Sequence, residues 1–451
     1  MTVGFLRERF AAAGTVPALI HRDRPWGYDW LLAAIDRFSE RIRASGIGPG
    51  AVVALEADCT PASIAALLAL IEQRCIVAPL SPLSWDDTSP LIAVGEVEFR
   101  TRFDGNEIRL APTGTRAGHV LYETLRTTAN PGLVLFSSGS TGAPKGAVHD
   151  LSRLLRKYET RRHCLRTLMF LLFDHIGGFD TLFYCLSNVS TAVLVEDRSP
   201  ARVCDAIARH RVEVLPAAPS FLNLLLLSGE HRRHDLSSLR YITYGAEMMP
   251  PATLKRLAEA FPSVTLLQKY GTSEVGTLRS HSRGPDSLWV KIGGEGYAWR
   301  VLDGKLEVKA SSAMLGYLNA PSPFTEDGWF RTGDCVETDG DYIRFLGRAS
   351  DIVNVGGQKV FPAEVEAVIR QMDNVTDVAV SGEANPILGQ VVVARIQTAT
   401  LEEPAALRAR LRAFVGERLE AFKVPVKVTT VDGGLTNRRF KQVRGGAPAG
   451  S

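Results

Sequence analysis

Phe136-Ser137-Ser138-Gly139-Ser140-Thr141-Gly142-Ala143-Pro144-Lys145-Gly146 follows the apolar run Leu133–Leu135. A strand here runs into a loop of small hydroxyl residues and glycines that ends on a lysine. Glycines let backbone N–H groups converge on an anion, hydroxyls add donors, and Lys145 adds charge. A phosphate-holding loop is therefore the reading to carry forward. It is not a Walker A loop, which needs Gly-Lys-Ser/Thr after its spacer. Here Pro144 precedes the lysine and Gly146 follows it. A Gly/Ser composition alone also suits a plain surface turn, so the context must decide.

Around this loop the chain alternates. Ala51–Glu56 and Cys75–Leu80 read as strands. Between them Thr60 can cap a helix that opens on Pro61 and runs to Gln73. Further on, Leu168–Phe173, Thr191–Val195, Val212–Leu215, Tyr241–Thr243 and Val264–Leu267 read as strands. Phe179–Leu186, Ala201–His210 and Pro251–Phe261 read as helices. This alternation predicts an α/β fold, parallel sheets covered by helices on both faces. After about residue 285 the texture turns to glycines and short strands such as Arg300–Leu302 and Leu306–Val308. From Arg348 it changes again. Pro362 opens a helix with Val365, Val368, Ile369 and Met372 on one face. Strands near Val375–Ser381 and Gln390–Ile396 follow, then a helix from about Leu401 to Leu419. The expectation is a large N-terminal domain of parallel sheets sandwiched by helices with a small β-rich subdomain, residues 1–347. A mobile α+β C-terminal domain, residues 348–445, follows, with a disordered tail at 446–451.

Composition narrows the class. The 451 residues are 45% hydrophobic and 22% charged, ordinary globular values, with 52 basic against 49 acidic side chains. That net charge of +3 gives no argument for nucleic acid. No apolar run approaches a membrane span, and MTVGFLRERF lacks the apolar core of a secretory signal. The six cysteines show no CxxC spacing and read as reduced thiols, which predicts a cytoplasmic protein. His231 and His234 flank two arginines and read as a solvated face rather than a metal site. There is no GxSxG elbow and no HExxH.

With the further motifs in place, the chain resembles the adenylate-forming superfamily: acyl-CoA synthetases, peptide-synthetase adenylation domains and luciferases. The likeness runs from about residue 25 to 445. It implies that Ser137, Ser138, Gly139, Ser140, Thr141, Gly142 and Lys145 bind the ATP triphosphate. Tyr270-Gly271-Thr272-Ser273-Glu274 resembles the YGxTE segment, which implies Tyr270 on adenine, Ser273 on phosphate and Glu274 on Mg²⁺. An aromatic face suits a base and a carboxylate suits Mg²⁺. Gly328-Trp329-Phe330-Arg331-Thr332-Gly333-Asp334 matches GWFRTGD, implying that Asp334 holds the ribose hydroxyls. Gly347-Arg348 matches the hinge motif, with Arg348 on ribose or phosphate. Gly245, Ala246 and Glu247 fall where relatives line the adenine and acyl pockets. His175, in Asp174-His175-Ile176-Gly177-Gly178-Phe179, resembles the HxxGG histidine of the acyl and aryl ligases. Gly356–Glu366, with Lys359, resembles the segment that approaches the site for a second half-reaction.

Three departures stand out. Ser350 occupies the pivot where relatives often carry Asp or Lys. The C-terminal lysine motif reads Thr436-Asn437-Arg438-Arg439-Phe440-Lys441, with an extra residue and Phe440 in place of Gly. Lys441 is taken as the catalytic lysine, a basic solvated tail being the other reading. The chain is also short for the superfamily, which implies trimmed peripheral structure. The resemblance implies an ATP- and Mg²⁺-dependent ligase that adenylates a small carboxylic acid and passes the acyl group to a thiol, CoA or the phosphopantetheine of an acyl carrier protein. Two alternatives stay open. One is a natural-product relative that adenylates nitrite or an amino acid, the latter if Asp174 faces the pocket. The other is a silent nucleotide-binding partner protein.

Overall fold

The computed structural model describes residues 3–138, 144–431 and 435–436. Two seven-stranded sheets carry the N-terminal part. The first runs, in spatial order, Thr265–Gln268, Tyr241–Tyr244, Val214–Ala217, Thr167–Met169, Ala192–Leu194, Pro17–His21 and Arg24–Gly27. The second runs Gly316–Tyr317, Pro144–Asp150, Gly132–Ser138, Ile76–Leu80, Val52–Glu56, Phe99–Asp104 and Glu107–Pro112. Their centres are parallel, as the alternation predicts. The Thr265–Gln268 edge is parallel too, but other edges are not. Pro17–His21 pairs antiparallel with Arg24–Gly27, and Phe99–Asp104 with Glu107–Pro112. The strand Gly132–Ser138 pairs antiparallel with Pro144–Asp150, with Ser137 opposite Lys145.

The helix Pro61–Glu72 shows how local chemistry sets this up. Thr60 Oγ1 accepts from the Ser63 N–H at 3.2 Å, and Ser63 Oγ accepts from the Thr60 N–H at 2.9 Å. Pro61 takes the first helical position. Every residue from Pro61 to Ile71 is buried. This is the signature of a helix packed on all sides. It shares one core with Val53, Val77 and Leu133 of the second sheet, with Leu19, Met169 and Ala192 of the first, and with the helices Tyr28–Ala44 and Ile176–Ser187. Each buried leucine there contributes about 1.5–3 kcal/mol. The helices Pro200–His210, Pro219–Ser228 and Pro251–Ala260 cover the other face of the first sheet, and Val120–Thr128 covers that of the second.

A six-stranded sheet follows: Arg279–Ser282, Val290–Gly293, Tyr342–Arg348, Phe330–Asp339, Lys305–Ala310 and Tyr297–Leu302. It has its own small core around Val290, Leu306 and Ile343. The chain leaves it at Arg348 and enters a separate core of Val353–Val355, Val375–Asn385, Gly389–Thr398 and two helices, Pro362–Ile369 and Pro404–Gly416. The last helix is shorter than the Leu401–Leu419 expected. Pro404 opens it, and the Glu403 carboxylate caps it by accepting from the Ala406 N–H at 2.8 Å. The expected strand Leu168–Phe173 also stops early, at Met169, because its remainder bends away to form a cavity wall. His231 and His234 are half-buried rather than solvated, bonded to the Leu225 and Glu230 carbonyls. Among the described residues, no helix is long and apolar enough to cross a membrane, and all six cysteines are free thiols. Residues 446–451 lie outside the described residues.

Candidate active site

Two adjoining cavities open at the carboxyl ends of the first sheet's parallel strands, the usual place for a ligand in an open α/β sheet. The larger, about 960 Å³, lies between the N-terminal part and the C-terminal unit. The smaller, about 370 Å³, runs inward from it. Ala246, Lys269, Tyr270, Gly271, Thr272 and Arg348 line both.

At the shared mouth the chemistry is interlocked. Tyr270 Oη donates to Asp334 Oδ2 at 2.8 Å, and Arg348 Nε lies 3.2 Å from Asp334 Oδ1. Three motifs far apart in sequence thus meet on one carboxylate. Asp334 is buried, and burial pushes its carboxyl above the usual range while the Arg348 charge and the Tyr270 hydrogen bond pull it back. Burial beside Asp334 also pushes the Tyr270 phenol well up, so its hydroxyl stays a donor. One face of the Tyr270 ring stacks on Phe345, centroids 4.7 Å apart and planes at 23°.

Glu274 stands at the inner end of this group. Its Oε1 accepts from the Tyr317 hydroxyl, and its backbone N–H is held by Thr272 Oγ1 at 3.2 Å. The carboxylate charge raises the Tyr317 phenol, which burial raises more. Lys145 Nζ sits over the Tyr317 ring, 5.7 Å from its centroid. The end of the phosphate hairpin is thereby tied to Glu274 through one tyrosine. Asn319 fixes that end further, donating to the Pro144 carbonyl at 2.8 Å and accepting from the Gly146 N–H at 3.2 Å. Ser137, paired with Lys145 across the hairpin, lines the inner cavity. Beneath the Tyr270–Glu274 segment, the fully buried His149 bonds through Nε2 to the Ser273 carbonyl. Burial keeps that imidazole neutral by lowering its pKa.

Gly245 requires its lack of a side chain, since a Cβ there would lie 2.6 Å from the Lys269 carbonyl oxygen. The next residue, Ala246, is held at φ 68°, a left-handed conformation that costs a non-glycine residue energy and clusters at ligand sites. Glu247 is engaged by Ser220, accepting from its N–H at 3.1 Å and its hydroxyl at 2.7 Å. At the inner end His175 caps the helix Ile176–Ser187, its Nδ1 accepting from the Gly177 N–H at 3.2 Å. Neutral His175 therefore carries its proton on Nε2, and it lines the inner cavity.

Some expected residues are placed elsewhere. Asp174 does not face the cavity. It is buried and accepts from the Ser81 N–H at 3.3 Å. Lys359 is exposed on Gln358–Val360 and lines neither cavity. Gly139, Ser140, Thr141, Gly142 and Lys441 lie outside the described residues. Thr436, which begins the altered lysine motif, lines the outer cleft alongside Asp334 and Arg348. Tyr317, Phe345 and Asn319 belong to the site although no sequence motif marked them. The hydroxyl and ring chemistry was visible, but not the pairing that delivers it.

Among the described residues no cluster of three or more His, Cys, Asp or Glu side chains is placed to hold a metal. Glu274 alone suits Mg²⁺, which takes one or two carboxylates and completes its shell with phosphates and water. Its Oε2 accepts from no described residue.

Such a constellation, an aromatic ring, a buried carboxylate, a guanidinium and a lysine around one cavity mouth, suits a nucleotide. The comparisons agree. The family model for the AMP-binding enzyme matches residues 95–311, and that for its C-terminal domain matches 364–441. The 2-succinylbenzoate–CoA ligase of Bacillus velezensis is 30% identical over 73% of this chain and 70% of its own. The indoleacetate–CoA ligase of Aromatoleum aromaticum is 26% identical over 91% and 90%. The crystal structure of the anthranilate CoA ligase AuaEII in complex with anthranoyl-AMP overlays with a TM-score of 0.82 at 19% identity, covering 98% of this chain and 95% of that one. The chain belongs to the AMP-binding, adenylate-forming enzyme family.

Proposed function

We propose that this protein is an AMP-forming acid–thiol ligase acting on a small carboxylic acid, with CoA as acceptor. The observation that carries the reading is the convergence of Tyr270, Arg348 and Asp334 at the mouth of a cavity that contains His175 and Glu274. In the first half-reaction a carboxylate oxygen attacks the α-phosphorus of ATP. The bond from that phosphorus to the bridging oxygen breaks, and pyrophosphate leaves. The protein's work is to bring two anions together and neutralise them. Asp334 accepts from the ribose hydroxyls, Arg348 offsets negative charge beside it, and Lys145 faces the triphosphate from the hairpin. Mg²⁺, held by Glu274, supplies charge neutralisation on the phosphates. Lys441 joins the carboxylate and α-phosphate. Its approach is supported by the position of Thr436 in the outer cleft. In the second half-reaction a thiol attacks the acyl carbon, the bond to AMP breaks, and the thiol proton passes to solvent.

Residues 1–347 and 348–445 serve as the two domains, with rotation about Ser350 exchanging Lys441 for the Lys359 face. Ser350 is exposed and bonds only its neighbour, Asp351, at 2.8 Å, which suits a pivot. The exposed position of Lys359 fits the arrangement for adenylation. The six free thiols fit a cytoplasmic enzyme. With Asp174 buried, the amino-acid alternative loses the carboxylate it relied on. The test is ATP–pyrophosphate exchange across aryl, fatty and amino acids plus nitrite, with wild type beside Lys441→Ala. Exchange with one class of carboxylic acid, lost in the variant, is expected. Exchange with nitrite alone, or nucleotide binding with no exchange, overturns the reading.

A further inference from the structure

The inner cavity has a charged wall that the adenylation chemistry does not use. Asp180, Thr181 and Thr277 line it, and Lys269, the residue before Tyr270, lines both this cavity and the outer one. The Asp180 carboxylate is already taken. Lys157 Nζ and Tyr158 Oη both donate to it, and Lys157 also donates to the Thr277 carbonyl at 3.1 Å. Lys269 differs. Among the described residues its ammonium makes no ion pair and no hydrogen bond, and the residue is half-buried. It feels Asp180 as an attracting charge and Lys157 and Arg162 as repelling ones. Arg198, over the Phe170 ring at 5.8 Å, adds another cation to the same lining. The wall is therefore positive, and burial drives the Lys269 pKa down. A half-buried ammonium that no described residue pairs is well placed to meet an anionic ligand in the cavity it lines.

Resting on the ligase reading above, we infer that Lys269 selects the substrate by receiving a second anionic group, so that the preferred acids are small dicarboxylic acids. A substrate ammonium meets the wrong sign here, since the one acid on this wall is already paired. Size agrees. The cavity of about 370 Å³ is also bounded by Glu274 and Arg348, so part of it belongs to the nucleotide, and a short or single-ring diacid fills what is left. The reacting carboxylate and the α-phosphate are the competing occupants for Lys269, and the test has to separate them.

The experiment is ATP–pyrophosphate exchange with aliphatic diacids of graded length and benzene dicarboxylic acids, each beside its monomethyl ester. Wild type is compared with Lys269→Met and Lys269→Arg, and thermal melts check folding. A charge-assisted hydrogen bond predicts a preference of about 100-fold in kcat/KM for the best diacid over its ester. In Lys269→Met that ratio collapses toward one, chiefly through KM for the diacid, and Lys269→Arg keeps part of it. A ratio that survives in Lys269→Met, with diacid and ester losing activity together, shows that Lys269 serves the reacting groups and overturns the inference. So does wild-type exchange with monoacids alone, which leaves the ligase reading standing. Exchange with no acid at all sinks both.

Discussion

The two ends of the cavity are built on opposite plans. At the mouth the described charged groups interlock: Tyr270 and Arg348 meet on Asp334, and Tyr317 holds Glu274. Farther in, Asp180 is paired with Lys157, while Lys269, between the two cavities, makes no ion pair or hydrogen bond among the described residues. A ligand common to every turnover is met by groups whose geometry is set in advance, which lowers the ordering cost of binding. A ligand that distinguishes one enzyme from another is met by a group whose pairing it must complete. In the reading proposed above, the rigid end sets affinity for ATP and the unsatisfied end sets choice of acid.

Breaking the rigid end has the largest expected effect. Asp334→Ala frees the Tyr270 hydroxyl and leaves Arg348 without its partner. Hydrogen bonds to a charged group are worth about 1.5–3 kcal/mol each, and the ribose hydroxyls lose their acceptor, so ATP affinity by titration calorimetry falls by about 100-fold. Undiminished affinity would contradict the ribose assignment. Next is Asp174→Ala, which removes an acceptor from the Ser81 N–H in a buried setting. A loss of about 1–3 kcal/mol in a denaturant melt is expected, with the order of preference among acids retained. A changed order would return Asp174 to the pocket.

The third prediction concerns pH. Ribose binding needs ionised Asp334, whose folded value is raised by burial and held down by Arg348. Nucleotide affinity should thus fall, as pH drops, earlier than for an ordinary aspartate. Arg348→Ala removes the restraining charge and moves that acid limb to higher pH. A limb that stays in place or moves down would show that Arg348 does not act on Asp334. Smallest is Tyr317→Phe, which removes one hydrogen bond from Glu274 and keeps the ring under Lys145. About 1 kcal/mol, several-fold in kcat/KM for ATP, is expected from steady-state kinetics.

The ordered motifs made the nucleotide end legible, because each is a short local segment whose residue types carry the chemistry. The capped helix at Thr60–Pro61 and the alternation of strands were legible for the same reason. What escaped depends on contacts between distant segments. Tyr317 reaches Glu274 from a two-residue strand that pairs with Ala147 across the hairpin, a register that no periodicity reveals. Phe345 reaches Tyr270 from another sheet. Asp174 looked available beside His175, yet the chain turns it toward Ser81 at the end of a neighbouring strand. Lys269 is the residue immediately before the Tyr270 motif, and sequence alone could not show that its half-buried ammonium makes no ion pair among the described residues.

The central claim is the order of the two half-reactions in one site, and a single-turnover product analysis tests it most directly. Enzyme in excess over ATP is mixed with a preferred acid, quenched, and assayed by mass spectrometry before and after CoA is added. The account predicts acyl-AMP and pyrophosphate before CoA, converting to acyl-CoA and AMP after it. Formation of ADP and phosphate, or no acyl-AMP with any acid while ATP binds, would contradict it.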